Sequence, residues 1–414
     1  MGEIRKNLIY STILTSAHYV FPLLVYPYVS RVLGVPNIGL VGFIDSIATY
    51  FILFSMMGIS IVGVRETARR NGDRKSLSEA FCSLLSLHAV TTVVALCAMV
   101  VATICADVLR ENWRMMGVGA CKLVFNLFLV EWFYKGMEDF RYITLRSLFI
   151  RGAYVVSVFL FVRKAEDTEL YYCLTMGVVA VTAVVNMAHV GKFVSCRKTK
   201  VALRSFVRPY FSFGIYELLA TAYTTFNVAY LGFVSDNTEV GYYVTATKIV
   251  WILSSMLAGF TGVMLPRVSR LVAEGNLSQV RKYLRKSIAM ICLALIPVIT
   301  VIDIFAPDVV GLLSGPGYEG AVLPLRIIIP FMLVAALEQL FVVQTLIPLG
   351  CDRWVTMLTV IAAFAAVALN IILVGAMGAV GSAVVWGVSE TILFAGSTAL
   401  VRSRLSTALR ENVR

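Results

Sequence analysis

The chain has 414 residues, 59% hydrophobic and 14% charged, with a mean hydropathy of +0.84; a soluble domain carries roughly 25% charged residues. That balance excludes a water-soluble enzyme and leaves an all-α integral membrane protein that crosses the bilayer many times. The net charge of +12 would point a soluble protein toward nucleic acid, but the positions of the charges explain it differently and no nucleic-acid partner is expected.

Crossing about 30 Å of hydrocarbon at 1.5 Å per residue takes about 20 apolar residues. Twelve runs qualify: 8 to 29, 39 to 63, 81 to 105, 114 to 134, 146 to 162, 170 to 190, 210 to 233, 241 to 265, 287 to 304, 324 to 347, 354 to 374 and 379 to 401. They are expected to be helices, because backbone facing lipid must satisfy its own hydrogen bonds and the runs lack the alternation of barrel strands. One set of alternate loops holds most of the 36 Lys and Arg, concentrated in 65 to 75, 192 to 208 and 267 to 286. The opposite set holds only Arg31, Arg110, Arg114, Arg163, Lys164 and Arg326. The rich side is cytoplasmic, so both termini are expected in the cytoplasm of a plasma (inner) membrane protein. Span 1 follows a short basic segment as a signal peptide would, but it lacks a small-residue cleavage site and runs too long, so it reads as a retained helix.

Ionisable groups inside spans are costly and usually face the bundle interior or a wet cavity. In chain order, span 1 carries Ser11, Thr15 and His18 at i, i+4, i+7 spacing, together with Pro22 and Pro27. Span 2 carries Asp45, span 4 Lys122 and Glu131, and span 5 Arg151. Span 7 carries Glu217, Thr221 and Thr224, and span 8 Lys248. Spans 9 and 10 contain Pro297 and Pro330. Glu338 in span 10 and Glu390 in span 12 lie nearest mid-span. The polar stripes of spans 1 and 7 suggest a shared cavity; hydrogen bonding between helices is the alternative. Asp45 and Lys248 read as facing groups of a cavity or as a buried ion pair, and Glu131 and Arg151 as snorkelling or paired. Trp113, Trp132, Tyr134, Tyr171, Tyr172, Tyr242, Tyr243 and Trp354 sit near span ends, as an aromatic belt requires. Gly375, Gly378 and Gly381 suit a tight turn. The eight Cys show no paired spacing, so neither a disulfide framework nor a metal site is expected.

A shift of 202 residues places Gly241 on Gly39, Ile249 on Ile47, Arg267 on Arg65 and Glu217 on Thr15, and sets Asp45 and Lys248 in adjacent columns. Six spans per half is an even number, so the halves share an orientation, a parallel repeat of the sort transporters use. The expected organisation is therefore a six-helix lobe at 1–191, a basic cytoplasmic linker at 192–209 and a second six-helix lobe at 210–414, the two bundles lying around a central cavity. No phosphate loop, H-E-x-x-H or nucleophile elbow occurs, and the histidines, His18, His88 and His189, lie far apart. No catalytic residue, cofactor or metal is expected.

Pro22 to Gly34, reading PLLVYPYVSRVLG, followed by Gly39, Gly58 and Gly63-Val64-Arg65-Glu66-Thr67-Ala68, resembles the opening of the Wzx-type oligosaccharide flippases. These belong to the multidrug/oligosaccharidyl-lipid/polysaccharide exporter superfamily, which also contains the MATE-like exporters. Lys248-Ile249 followed by Pro266-Arg267-Val268-Ser269 is similar to the same family's eighth span and its exit. The resemblance implies alternating access that moves a polyprenyl-diphosphate-linked glycan to the outer leaflet for O-antigen, capsule or exopolysaccharide assembly. It also implies membrane lipids as surroundings, and a polysaccharide polymerase and chain-length regulator as partners. Arg31 matches the Arg of the family's PY-x-SR motif. Arg31, Lys248 and Lys122, with Asp45, His18 and Glu217, are the expected cavity groups, and Glu338, Glu390 and Asp45 the candidates for a coupling Na⁺ or H⁺. Lipid II flippases cluster several Arg in span 1; none precedes Arg31 there, which counts against that branch. A multidrug or metabolite antiporter of the same fold is the competing reading.

Overall fold

The computed structural model describes residues 2–195 and 202–411, and every described regular element is helical. The chain runs through α1 (Gly2–Leu33), α2 (Val35–Met56), α3 (Ile59–Arg70), α4 (Arg74–Cys105), the short α5 (Asp107–Glu111), α6 (Trp113–Leu127), α7 (Glu131–Gly136), α8 (Phe140–Phe161) and α9 (Thr168–Val190). It continues through α10 (Leu203–Val234), α11 (Asn237–Ala273), α12 (Leu277–Ile304), α13 (Ala306–Ser314), α14 (Val322–Phe341) and α15 (Asp352–Glu411). Among the described residues nine helical stretches are long and apolar enough to cross a membrane. Phe149, Leu293 and Phe364 are 80%, 77% and 72% exposed, a liability in water and ordinary against lipid. The protein is a helical, multi-pass membrane protein.

Contacts divide the chain into two compact units, Met1–Thr225 and Phe226–Arg414. In the first, the path along α2 and α3 bends at Met57 (φ 41°). Such a bend frees backbone groups that lipid cannot satisfy, and neighbouring helices take them up. The Ser55 carbonyl accepts from Thr91 Oγ1 on α4 at 2.6 Å and from the Tyr210 hydroxyl on α10 at 2.9 Å. The Gly58 amide donates to the Tyr210 carbonyl at 3.1 Å. Gly214 lets α10 come this close, since a Cβ there would stand 2.7 Å from Met57 Cβ. The second break, between α6 and α7, passes through Val130 at φ 40°; there Asn186 Nδ2 on α9 donates to the freed Leu129 carbonyl. Beside the breaks, α3 and α7 cross with Gly63 under Trp132 and Gly136 under Thr67. Phe81 meets Phe133 edge-on at 5.4 Å in the adjoining core.

In the second unit α14 continues into a π-turn at Val342–Leu346, and α15 is two helices joined at Gly378 (φ 53°, ψ −130°). The Glu239 carboxylate, from the first turn of α11, accepts the Ala379 amide at 2.7 Å. It thereby caps the second half of α15, and the glycine series makes the expected turn.

Two expectations are corrected. Trp132, Tyr134, Tyr171, Tyr172 and Tyr243 are not a belt: all are buried, with Tyr134 and Tyr172 at 0% and 1% exposure, whereas Trp113 is 64% exposed. Nearness to a span end fixes depth along the helix but not the face presented. Cys82 is disulfide-bonded, whereas the unpaired spacing of the eight Cys gives no disulfide framework. The other described cysteines are free. Residues beyond α9 return to α4, with Ser195 N donating to Ser78 Oγ at 3.0 Å and Ala202 N to Ser83 Oγ at 2.9 Å.

Candidate functional site

Asp45 on α2, Lys122 on α6 and Tyr172 on α9 meet in the first unit. The helices approach because α6 carries Gly119, where a Cβ would lie 3.1 Å from Ala48 Cβ and 3.5 Å from the Tyr172 hydroxyl. Lys122 Nζ forms an ion pair with Asp45 Oδ1. The Tyr172 hydroxyl donates to the same oxygen at 3.3 Å, and the ammonium lies 5.4 Å from the Tyr172 ring centre, within cation–π range. The Lys122 side chain is 18% exposed and that of Asp45 41%. A cation on an apolar helix thus has two partners, one of which keeps access to the surroundings.

A second network is enclosed. Arg146 donates to Glu131 Oε1 at 2.8 Å and to Ser147 Oγ at 3.0 Å, and also reaches Asn186 Oδ1. The Tyr134 hydroxyl donates to the Asn186 carbonyl at 2.6 Å. The Arg146 side chain is 4% exposed, so this pair fastens α7, α8 and α9 together rather than awaiting a ligand. Glu131 is therefore paired as one of its two expected readings had it, and Arg151 lies in the field of both Glu131 and Arg146.

Between the two helix breaks lies a cavity of about 120 Å³, lined by Ser60, His88, Asn126, Glu131 and Lys135 among others. Both ring nitrogens of His88 and Asn126 Oδ1 are buried without a hydrogen-bond partner among the described residues. At about 30 Å³ per water the space suits a small hydrated pocket.

Arg31 occupies the last turn of α1, exposed, with Nη1 donating to the Pro27 carbonyl at 2.6 Å. Lys248 is half-buried on α11. In the second unit Glu338 on α14 and Glu390 on α15 lie within each other's field, Glu390 being 6% exposed. The side chains of His18 and Glu217 fall outside the described residues. Thr15 Oγ1 turns back to the Ser11 carbonyl at 2.9 Å, a bond within its own helix. Reading the spans for ionisable groups missed the uncharged partners, namely Tyr172, Asn186 and the pair Asn227–Asn370. Asn370 Nδ2 donates to Asn227 Oδ1 at 2.7 Å, and Asn227 in turn reaches the Tyr243 hydroxyl at 3.2 Å. For the asparagines the signal was an amide inside a span, which is costly to bury without a partner.

Residues 4–272 match the family described as polysaccharide biosynthesis protein. A putative O-antigen transporter of Escherichia coli (strain K12) is 26% identical over 357 residues, covering 83% of this chain and 84% of its own length. The probable low-salt glycan biosynthesis flippase Agl15 of Haloferax volcanii is 25% identical over 262 residues, covering 62% of this chain and 53% of its own. Among solved structures, the lipid II flippase MurJ in an inward closed conformation superposes with a TM-score of 0.77 at 11% identity, covering 95% of this chain and 87% of its own. An inward-facing multidrug resistance MATE family transporter of the MOP superfamily gives 0.74 at 16% identity, covering 94% and 95%. These superpositions show a shared fold. With the family's pattern running over more than half of its length, the chain belongs to the polysaccharide biosynthesis protein family.

Proposed function

We propose that the chain is a flippase, not an enzyme, and that it turns a polyprenyl-diphosphate-linked oligosaccharide from the cytoplasmic to the outer leaflet for surface polysaccharide assembly. The observation that carries this is the likeness to a putative O-antigen transporter over 83% of the chain. The finer architecture is part of the proposal. It has twelve spans with both termini cytoplasmic, in two like-oriented lobes at 1–191 and 210–414 joined by the linker 192–209 and enclosing a hydrated, partly cationic chamber. The helix starts at Val35 and Asn237 lie 202 residues apart, the offset that aligns the halves in sequence, which supports the repeat.

A diphosphate bearing sugars cannot cross hydrocarbon unaided, and charge-assisted bonds from fixed cations lower that barrier. Arg31, Lys248 and Lys122 are the proposed cations, with His18 and Glu217 lining the same path. At Lys122 the incoming phosphate exchanges with Asp45, whose carboxylate is the more exposed member of the pair. Glu338 and Glu390, two acids in one field, are the proposed place for a coupling Na⁺ or H⁺, with Asp45 as a further candidate. A polysaccharide polymerase and chain-length regulator would act on the product. Deleting the gene tests the reading: a flippase mutant displays no repeat units, whereas loss of a polymerase still leaves single units at the surface. A drug or metabolite antiporter shares the fold, and drug-resistance profiles with and without Glu338 separate the two.

A further inference from the structure

The ion pair of Asp45 and Lys122 has a third member, Tyr172 on α9, whose ring and hydroxyl serve different partners. Tyr172 is 1% exposed, and among the described residues its hydroxyl has one polar partner, Asp45 Oδ1 at 3.3 Å. Beside it Gly119 lies against apolar groups, since a Cβ there would stand 3.5 Å from the hydroxyl and 3.1 Å from both Ala48 Cβ and Met99 Cε. The Lys122 ammonium shares the same carboxylate oxygen and lies 5.4 Å from the centre of the Tyr172 ring, within cation–π range. The two donors differ in what remains to them without the carboxylate. An ammonium drawn to a phosphate keeps the ring and gains a new anion. A buried hydroxyl that lost its acceptor would keep nothing and bear the full desolvation penalty. Asp45 is 41% exposed, so once the ammonium leaves, the hydroxyl is what holds the carboxylate where it stands.

We propose that Tyr172 is a positioning residue for the lipid-linked diphosphate: its ring keeps Lys122 in reach and its hydroxyl keeps Asp45 in place while a phosphate takes the carboxylate's position on the ammonium. This deepens the flippase reading and rests on it, through the exchange at Lys122. Two donors on one oxygen repel each other through their positive hydrogens. The bond from Tyr172 to Asp45 therefore strengthens when the ammonium departs, which favours the exchanged state, and a hydrogen bond to an ionised group is among the stronger ones available. Tyr172 makes no contact with the ligand.

The test uses the full chain in phosphatidylcholine nanodiscs and a farnesyl-diphosphate-linked N-acetylglucosamine probe. Lys122→Gln should lose most of the affinity. Tyr172→Phe fills the same space, keeps the ring and the ion pair, and should weaken binding about tenfold, the worth of one charge-assisted hydrogen bond. Asp45→Asn removes the competing charge and should tighten binding. In that background Tyr172→Phe should change affinity by less than about twofold, because the group it acts through is gone. A merely structural loss would appear in both backgrounds. Unchanged affinity in Tyr172→Phe, or an equal loss with and without Asp45→Asn, would overturn the role. If Lys122→Gln does not fold, Asp45→Asn decides on the exchange, since unchanged or weaker binding there counts against it. Binding is read without transport, so the readings fail separately. Unaltered affinity in Lys122→Gln removes the exchange and the role of Tyr172 with it, whereas a loss there without one in Tyr172→Phe removes the role alone. Intact surface polysaccharide after gene deletion removes the flippase reading.

Discussion

The bend at Met57 is stable only if the Ser55 carbonyl is satisfied, and a double-mutant cycle measures how. Tyr210→Phe removes one donor, at 2.9 Å, and leaves Thr91 at 2.6 Å. Thr91→Val does the reverse. Each single change should cost about 1 kcal/mol, the usual net worth of a hydrogen bond whose acceptor keeps a partner. The double change leaves a buried carbonyl with neither donor, adding a desolvation penalty of about 1–3 kcal/mol. The total should therefore be about 3–5 kcal/mol, against about 2 kcal/mol for the sum of the singles. Equilibrium unfolding in mixed micelles, followed by far-ultraviolet circular dichroism, gives all four corners. If the double variant equals the sum within about 0.5 kcal/mol, the carbonyl has another partner and the account of the bend is wrong.

Glu239→Ala should cost about 1–2 kcal/mol by leaving the Ala379 amide without its acceptor. Gly378→Ala should cost more, since a new Cβ would sit 2.8 Å from Glu239 Cδ at φ 53°; unfolding midpoints check both. Lys122→Met should destabilise by about 1–3 kcal/mol, less than the ~3–5 kcal/mol of a fully buried pair because Asp45 is 41% exposed. Adding Asp45→Leu should restore most of the loss, and a double variant worse than the single would show that the pair is not an isolated unit. Arg146→Ala should lower stability by about 2–4 kcal/mol, as it removes at once the bonds of the buried guanidinium to Glu131, Asn186 and Ser147. Near-wild-type thermal stability in that variant would refute the fastening role.

The helices were legible because crossing lipid requires long apolar runs, and the runs at 81 to 105 and 287 to 304 fall within α4 and α12. The breaks were not. Span 4 changes direction at Val130 with no Gly or Pro between Phe125 and Trp132; the conformation is imposed by Asn186 and the core around Phe133 rather than by local preference. Asp45 and Lys122 were each recognised as costly, but they are 77 residues apart, and no periodicity connects them. Nearness to a span end points Tyr172 to the interface, yet α9 begins at Thr168 and one helical turn is enough to carry its hydroxyl onto α6 and α2.

An ion inside a bundle has to be neutralised where it stands, and the first unit does this with matched pairs, Asp45 with Lys122 and Glu131 with Arg146. Exposure separates their uses. Arg146, at 4% exposure and with its charge divided among Glu131, Asn186 and Ser147, has nothing to gain from an exchange and much to lose. Lys122 holds a carboxylate that already faces its surroundings, so in the proposed cycle replacing Asp45 by a phosphate would keep the ammonium paired throughout and avoid the state in which it is bare. A carrier that must release what it binds is better served by such an exchange than by an unpaired cation, because under the proposed mechanism the Asp45 carboxylate would take the ammonium back as the substrate leaves.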